Sequence, residues 1–196
     1  MGGYTLTRAV FLDRDGVLNA NVLNPATGEW ESPHHPDNFR LHTGVPAALR
    51  QLQAAEYKLI IVSNQPSYAK GKTSLENIRA IAAKLEEAVM REGVTIDRAY
   101  YCLHHPQGVV PEYSFVCQCR KPSPYFLREA ARDFGIDLEN SWMVGDRATD
   151  VFCGQTAGTR TILIRPDHPD AAAEECAPDF VADNLSGAAE IILLQV

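Results

Sequence analysis

Ten residues near the start, Val10-Phe11-Leu12-Asp13-Arg14-Asp15-Gly16-Val17-Leu18-Asn19, constrain the fold more than any other stretch. An apolar run that ends abruptly on Asp reads as a buried strand whose C-terminal end opens on a site. Gly16 permits a sharp turn that brings both carboxylates to one point. Two acids that close repel unless a cation lies between them or one keeps its proton. Oxygen ligands on a strand tip suit Mg²⁺. Taken alone, the stretch is equally a strand followed by a polar Asp-x-Asp-Gly turn. An EF-hand loop fits badly, because Val17 and Leu18 stand where oxygen ligands are needed.

The later chain supplies partners for those acids. A polar, Pro- and Gly-containing segment from Ala20 to about Pro36, with Asn21, Asn24, Trp30, His34 and His35, reads as a loop overhanging the end of the first strand. Gly44 to Glu56 carries apolar residues at helical spacing. Tyr57 to Val62 is a second buried strand, and it ends in Ser63-Asn64, neutral donors suited to a phosphate oxygen. Ala69-Lys70-Gly71-Lys72-Thr73 imitates the end of a P-loop, but Pro66 stands where its first glycine belongs. Ser74 caps a helix whose stripe of Leu75, Ile78, Ala82, Leu85 and Val89 is core.

After a third strand, Arg98 to Cys102, come Cys102-x-His104 and Cys117-x-Cys119. Three thiolates and an imidazole make a closed four-ligand set of the structural Zn²⁺ kind, with His105 as a competing imidazole. Arg120-Lys121 follows directly, so a zinc loop would aim two cations: Lys as a compact charge for a phosphoryl oxygen, Arg as a fork for phosphate or sugar oxygens. A helix from Ser123 to Phe134 ends at Gly135. A fourth strand, Ser141 to Val144, opens into Gly145-Asp146, with Asp150 at helical spacing behind it. Thr161 to Ile164 is a fifth strand, Asp167 to Pro178 a loose loop, and Leu185 to Leu194 a closing helix. Cys153 and Cys176 read as a packed thiol and a loop thiol.

Strand and helix alternate throughout, which predicts an α/β fold with a Rossmann-like parallel sheet and helices on both faces, one domain over residues 1–196. Ligands of such sheets sit beyond the carboxyl ends of the strands, where Asp13, Ser63, Lys121 and Asp146 fall. A net charge of −7 disfavours a nucleic-acid surface, and no apolar run reaches the roughly 20 residues of a membrane span. The opening residues show neither a signal peptide nor a myristoylation site. The expectation is a cytoplasmic monomer with free or metal-bound thiols.

Asp13-Arg14-Asp15-Gly16, Ser63, Lys121, and Gly145-Asp146 with Asp150 together resemble the four motifs of the haloacid dehalogenase (HAD) superfamily. The Cys-x-His…Cys-x-Cys-Arg-Lys-Pro block narrows the resemblance to its family of D-glycero-D-manno-heptose 1,7-bisphosphate and histidinol-phosphate phosphatases. Tyr100-Tyr101-Cys102-x-His104-His105-Pro106-Gln107-Gly108 leans to the heptose side, and Gly145-Asp146-Arg147-Ala148-Thr149-Asp150 to the histidinol side.

The resemblance implies a phosphatase with no large cap domain, serving heptose or related polysaccharide precursors and acting on a small sugar phosphate. It makes Asp13 the nucleophile and Asp15 the acid and base. Mg²⁺ is then held by Asp13, the Asp15 backbone carbonyl and Asp146, with Asp150 behind them. Ser63, Asn64 and Lys121 take phosphoryl oxygens, and Arg120 and Lys70 the far end of the substrate. The zinc loop is the expected lid or wall. A receiver-like module that is phosphorylated without rapid turnover is the non-enzyme alternative.

Overall fold

The computed structural model describes residues 7–166 and 175–195. The opening residues, and most of the loop expected after Asp167, lie outside them. Strand β1 (Arg8–Leu12) is central. β4 (Tyr57–Asn64) pairs with it on one side and β6 (Trp142–Gly145) on the other, both parallel. β5 (Arg98–Cys102) extends the sheet beyond β4, while β7 (Arg160–Ile164) and β8 (Phe180–Ala182) extend it beyond β6. The order β5-β4-β1-β6-β7-β8 reverses direction between β1 and β6, which is where a doubly wound sheet opens its ligand crevice.

Both faces of this sheet are covered, and β1 shows why it carries no polar residue after Arg8. Val10 and Leu12 pack into one core with Leu49 of α1 (Val45–Ala54), Leu85 of α2 (Leu75–Arg91) and Leu185 of α5 (Leu185–Leu194). Ala9 and Phe11 point the other way, into a second core with Leu127 of α3 (Tyr125–Phe134) and Cys153 of α4 (Ala148–Ala157). β4 alternates in the same way, Leu59 and Ile61 against Ile60 and Val62. Ser74 caps α2 by accepting from Asn77 N at 3.1 Å, and Gly135 ends α3 in the left-handed region at φ 64°. No helix among the described residues is long and apolar enough to cross a membrane.

Two elements depart from the expected layout. The segment after β1 is not a plain loop: β2 (Val22–Leu23) and β3 (Trp30–Glu31) form a short antiparallel hairpin. Its turn closes with Asn24 N donating to Glu29 O at 2.8 Å, over Gly28 at φ 73°. The other is β8, a three-residue edge strand whose Phe180 ring lies 5.7 Å from that of Trp142. Strands of two or three residues carry too little alternation to be read from sequence.

Candidate active site

β1 stops at Leu12, and the Asp13 N–H still pairs with Val144 O at 2.9 Å, so Asp13 leaves the sheet beside the end of β6. Asp146 lies just past that strand, and α4 returns Asp150 beneath it. The three carboxylates bring ligand oxygens within 4.8 Å of one another. Gly16 allows this closeness. It sits at φ 81°, and a Cβ there would lie 2.1 Å from Asp146 Oδ2.

Lys121 partly neutralises the group. It is buried, donating to Val62 O at 2.7 Å and pairing with Asp13 Oδ1 at 2.9 Å and Asp150 Oδ1 at 2.6 Å. Burial alone would lower its pKa, but the Asp13 and Asp150 carboxylates outweigh burial and raise it. Asp146 shows the reverse balance. Burial, then the Asp13 and Asp150 charges, push its carboxyl well above the ordinary range, and its buried Oδ1 has no hydrogen-bond donor. A carboxylate held among like charges, with one oxygen lacking a donor, fits a hard divalent cation. Asp150 is already engaged by Lys121 and the Arg147 N–H, the latter at 3.1 Å.

Asp15, two residues after Asp13, is directed elsewhere. Its Oδ1 accepts from Asn19 Nδ2 at 2.9 Å and from Arg14 Nη2 at 3.0 Å. Its Oδ2 accepts from Gln65 Nε2 at 2.6 Å. The Asp15 side chain therefore stands outside the carboxylate cluster, leaving its backbone carbonyl as the ligand expected from it. Arg14 is wholly buried, with its guanidinium 5.9 Å from the Tyr101 ring centroid.

Other expected residues have more specific surroundings than the sequence indicated. Ser63 is buried at the end of β4, its Oγ accepting from Gln65 Nε2 at 3.0 Å. The Asn64 amide is engaged with the Lys121 main chain, donating to Lys121 O at 3.1 Å and accepting from Lys121 N at 3.0 Å. The two strand-end motifs are thus joined across 57 residues, and the Asn64 side chain positions Lys121.

A cavity of about 290 Å³ opens above these groups, lined by Asp13, Asp15, Asn64 and Lys121 at its floor. Lys70 and Arg120 line it too, as do Arg147 and Thr149, which the sequence did not single out. The segment from Cys102 to Pro122 contributes only Arg120 and Lys121. The main wall is the β2–β3 hairpin with the residues after it: Glu29, Trp30, Glu31, Ser32 and His34. Glu31 pairs with Lys72, Ser32 Oγ lies 3.2 Å from Ser67 Oγ, and Asn77 Nδ2 donates to His34 O at 3.2 Å. These ties fix the wall to the segment after β4. Burial, then the Lys72 and Arg120 charges, lower the Lys70 pKa, with Glu31 opposing them.

The four soft ligands meet beyond β5. Cys117 Sγ lies 3.5 Å from Cys102 Sγ and 3.4 Å from Cys119 Sγ, while His104 Nδ1 lies 3.5 Å from Cys119 Sγ and 3.9 Å from Cys102 Sγ. Tetrahedral zinc with ordinary bond lengths sets such ligand atoms about 3.6–3.8 Å apart, so the donor set fits. His105 turns away, its Nδ1 accepting from Gln107 N at 3.1 Å. Burial raises the Cys102 thiol against a hydrogen bond with Cys119, burial and both neighbouring sulfurs raise Cys119, and sulfur hydrogen bonds draw Cys117 below its usual value against burial. Three thiolates in this space call for a cation. Arg120 Nη1 reaches His104 O at 3.4 Å, tying the cavity cation to the cluster.

Comparisons with known proteins show what the chain is similar to. A family model described as HAD-hydrolase-like matches residues 118–188. The D-glycero-beta-D-manno-heptose-1,7-bisphosphate 7-phosphatase of Yersinia pestis is 35% identical over 91% of each chain. That of Escherichia coli K12 is 35% identical over 95% of this chain and 94% of its own. Among solved structures, the D,D-heptose 1,7-bisphosphate phosphatase of B. bronchiseptica, complexed with magnesium and phosphate, superposes with a TM-score of 0.77. It is 26% identical, covering 96% of this chain and 99% of that one.

Proposed function

This chain belongs to the HAD-like family of heptose-1,7-bisphosphate 7-phosphatases, and from that premise we propose that it removes the C7 phosphate of D-glycero-D-manno-heptose 1,7-bisphosphate through an aspartyl-phosphate. One observation supports the chemistry above the others. Asp13 and Asp15 line one cavity in opposite electrostatic settings, the first among acids and Lys121, the second in a cage of donors. Two carboxylates held that differently can take the two roles the reaction needs.

Asp13 attacks phosphorus while the bond from phosphorus to the C7 oxygen breaks, and Asp15 gives that oxygen its proton. Asp15 then takes a proton from the water that attacks the aspartyl-phosphate, releasing inorganic phosphate and free Asp13. Lys121 supplies positive charge beside Asp13 throughout. Asp13, Asp146 and the Asp15 main-chain carbonyl are the groups that would hold Mg²⁺, which when bound shields the phosphoryl charge from an anionic nucleophile. Cys102, His104, Cys117 and Cys119 would hold a structural Zn²⁺, stiffening the loop that carries Arg120. Such thiolates suit a reducing, cytoplasmic setting.

Metal analysis of protein purified without chelators is expected to find one tightly held zinc per chain, separate from exchangeable Mg²⁺. Cys117→Ser should lower the melting temperature by several degrees and raise KM, because the ligand set that positions Arg120 is broken. Zinc-free wild-type protein with full stability would contradict the four-ligand site.

The remote end of the substrate is expected to meet Arg120 and Lys70. Their charges favour a second phosphate and disfavour the ammonium of histidinol phosphate. Each such rim contact contributes on the order of 1 kcal/mol, or several-fold in selectivity. Arg120→Ala should raise KM for the bisphosphate several-fold and for a heptose monophosphate much less. Equal changes for the two substrates would remove Arg120 from the distal phosphate.

A further inference from the structure

Gln65 is almost fully buried and does not line the cavity, yet its side chain joins two groups of the reaction site. One Nε2 hydrogen is directed at Asp15 Oδ2, 2.6 Å away, and the other at Ser63 Oγ, 3.0 Å away. Its Oε1 accepts from Arg14 Nη2 at 2.7 Å, and its main-chain N–H donates to Cys102 O at 2.7 Å. The amide therefore has both hydrogens and its oxygen engaged. Reversing it would set oxygen against the Asp15 carboxylate and NH₂ against the Arg14 guanidinium, so the chemistry of its neighbours fixes its orientation.

We infer that Gln65 is a positioning residue: it holds the Asp15 carboxylate in place for proton transfer and turns the Ser63 hydroxyl outward as a donor. The second part follows from lone pairs. A hydroxyl oxygen that accepts from Gln65 keeps its own O–H to give, and the phosphoryl oxygens proposed for Ser63 are its acceptors. The first part follows from counting. Asn19 loads Asp15 Oδ1 and Arg14 Nη2 sits between both oxygens, 3.0 Å from Oδ1 and 3.1 Å from Oδ2, while Gln65 makes the much shorter contact to Oδ2 at 2.6 Å and so holds the carboxylate against rotation. The inference rests on the proposed role of Asp15 as acid and base. It adds that this role is set from the residue just after β4, outside the motif that carries Asp15.

The test compares leaving groups. From heptose 1,7-bisphosphate the sugar departs as an alkoxide that needs a proton, whereas from p-nitrophenyl phosphate a stabilised nitrophenolate departs that needs almost none. kcat/KM covers the steps up to leaving-group departure, so the ratio of the two kcat/KM values reports acid catalysis. Gln65→Met is expected to lower that ratio at least about tenfold, beyond any loss shared by both substrates through Ser63. Gln65→Glu keeps the shape and an oxygen for Arg14 but presents an oxygen where the amide donated. It is expected to lower the ratio too, and it decides the matter if Gln65→Met does not fold.

Asp15→Asn serves as the control. A drop in ratio for Asp15→Asn with none in either folded Gln65 variant overturns the positioning role alone. An unchanged ratio in Asp15→Asn overturns the acid role of Asp15, and the inference falls with it. A merely structural Gln65 would lower the melting temperature and both kcat/KM values in parallel, leaving the ratio untouched.

Discussion

Asp13→Asn is expected to cut turnover by about four orders of magnitude or more while leaving the fold intact. The amide oxygen keeps the shape that Arg14 N and Lys121 Nζ contact at 2.8 and 2.9 Å, so the strand end need not move. What disappears is the anionic oxygen proposed to bond to phosphorus, and nearby groups are held for other contacts. Asp150 is engaged by Lys121 and a helix N-terminal N–H, and Asp15 by its donor cage. The substitution also removes one of three clustered negative charges, so the metal-free melting temperature should not fall. Steady-state kinetics and a thermal melt check both statements. A residual rate within tenfold of the parent would remove Asp13 as nucleophile.

Lys121→Met should be the most destabilising change in the site as well as an inactivating one. The ammonium is fully buried, and it compensates Asp13 and Asp150 while donating to Val62 O. Deleting one partner of a buried ionic group leaves the other charges uncompensated, at a cost of about 3–5 kcal/mol. Methionine fills most of the volume, so lost packing contributes little to that figure. Chemical denaturation in chelator measures it. The double variant with Asp150→Asn should recover part of the stability and none of the activity. If Lys121→Met alone melts like the parent, the ion cluster is not what holds the strand ends together.

The site was legible in the sequence wherever chemistry is local. Asp13, Asp15 and Gly16 are contiguous, and their apolar lead-in marks the strand end. Cys102, His104, Cys117 and Cys119 are soft ligands in one short loop, and the structure brings them together with His105 outside the set. The parallel sheet followed from apolar runs long enough to show their period, such as β4 over Tyr57–Asn64. What could not be read depends on partners distant in the chain. Asn64 looked like a free donor because its acceptor and donor lie on Lys121, 57 residues on. Gln65 carried no signal of its own beside Ser63 and Asn64. The β2–β3 hairpin was hidden because two-residue strands have no period, although Asn24, Pro25 and Gly28 were turn signals in plain view. That hairpin now takes much of the wall role that the sequence had given to the zinc loop.

The most direct measurement of the central claim is ³¹P NMR of the Mg²⁺-supplied protein with D-glycero-D-manno-heptose 1,7-bisphosphate, run in parallel with histidinol phosphate. The C7 phosphate resonance is expected to decay into inorganic phosphate while the C1 resonance persists, with kcat/KM at least about tenfold above that for histidinol phosphate, as two rim contacts of on the order of 1 kcal/mol each would give. Faster turnover of histidinol phosphate, or release of the C1 phosphate first, would contradict the account.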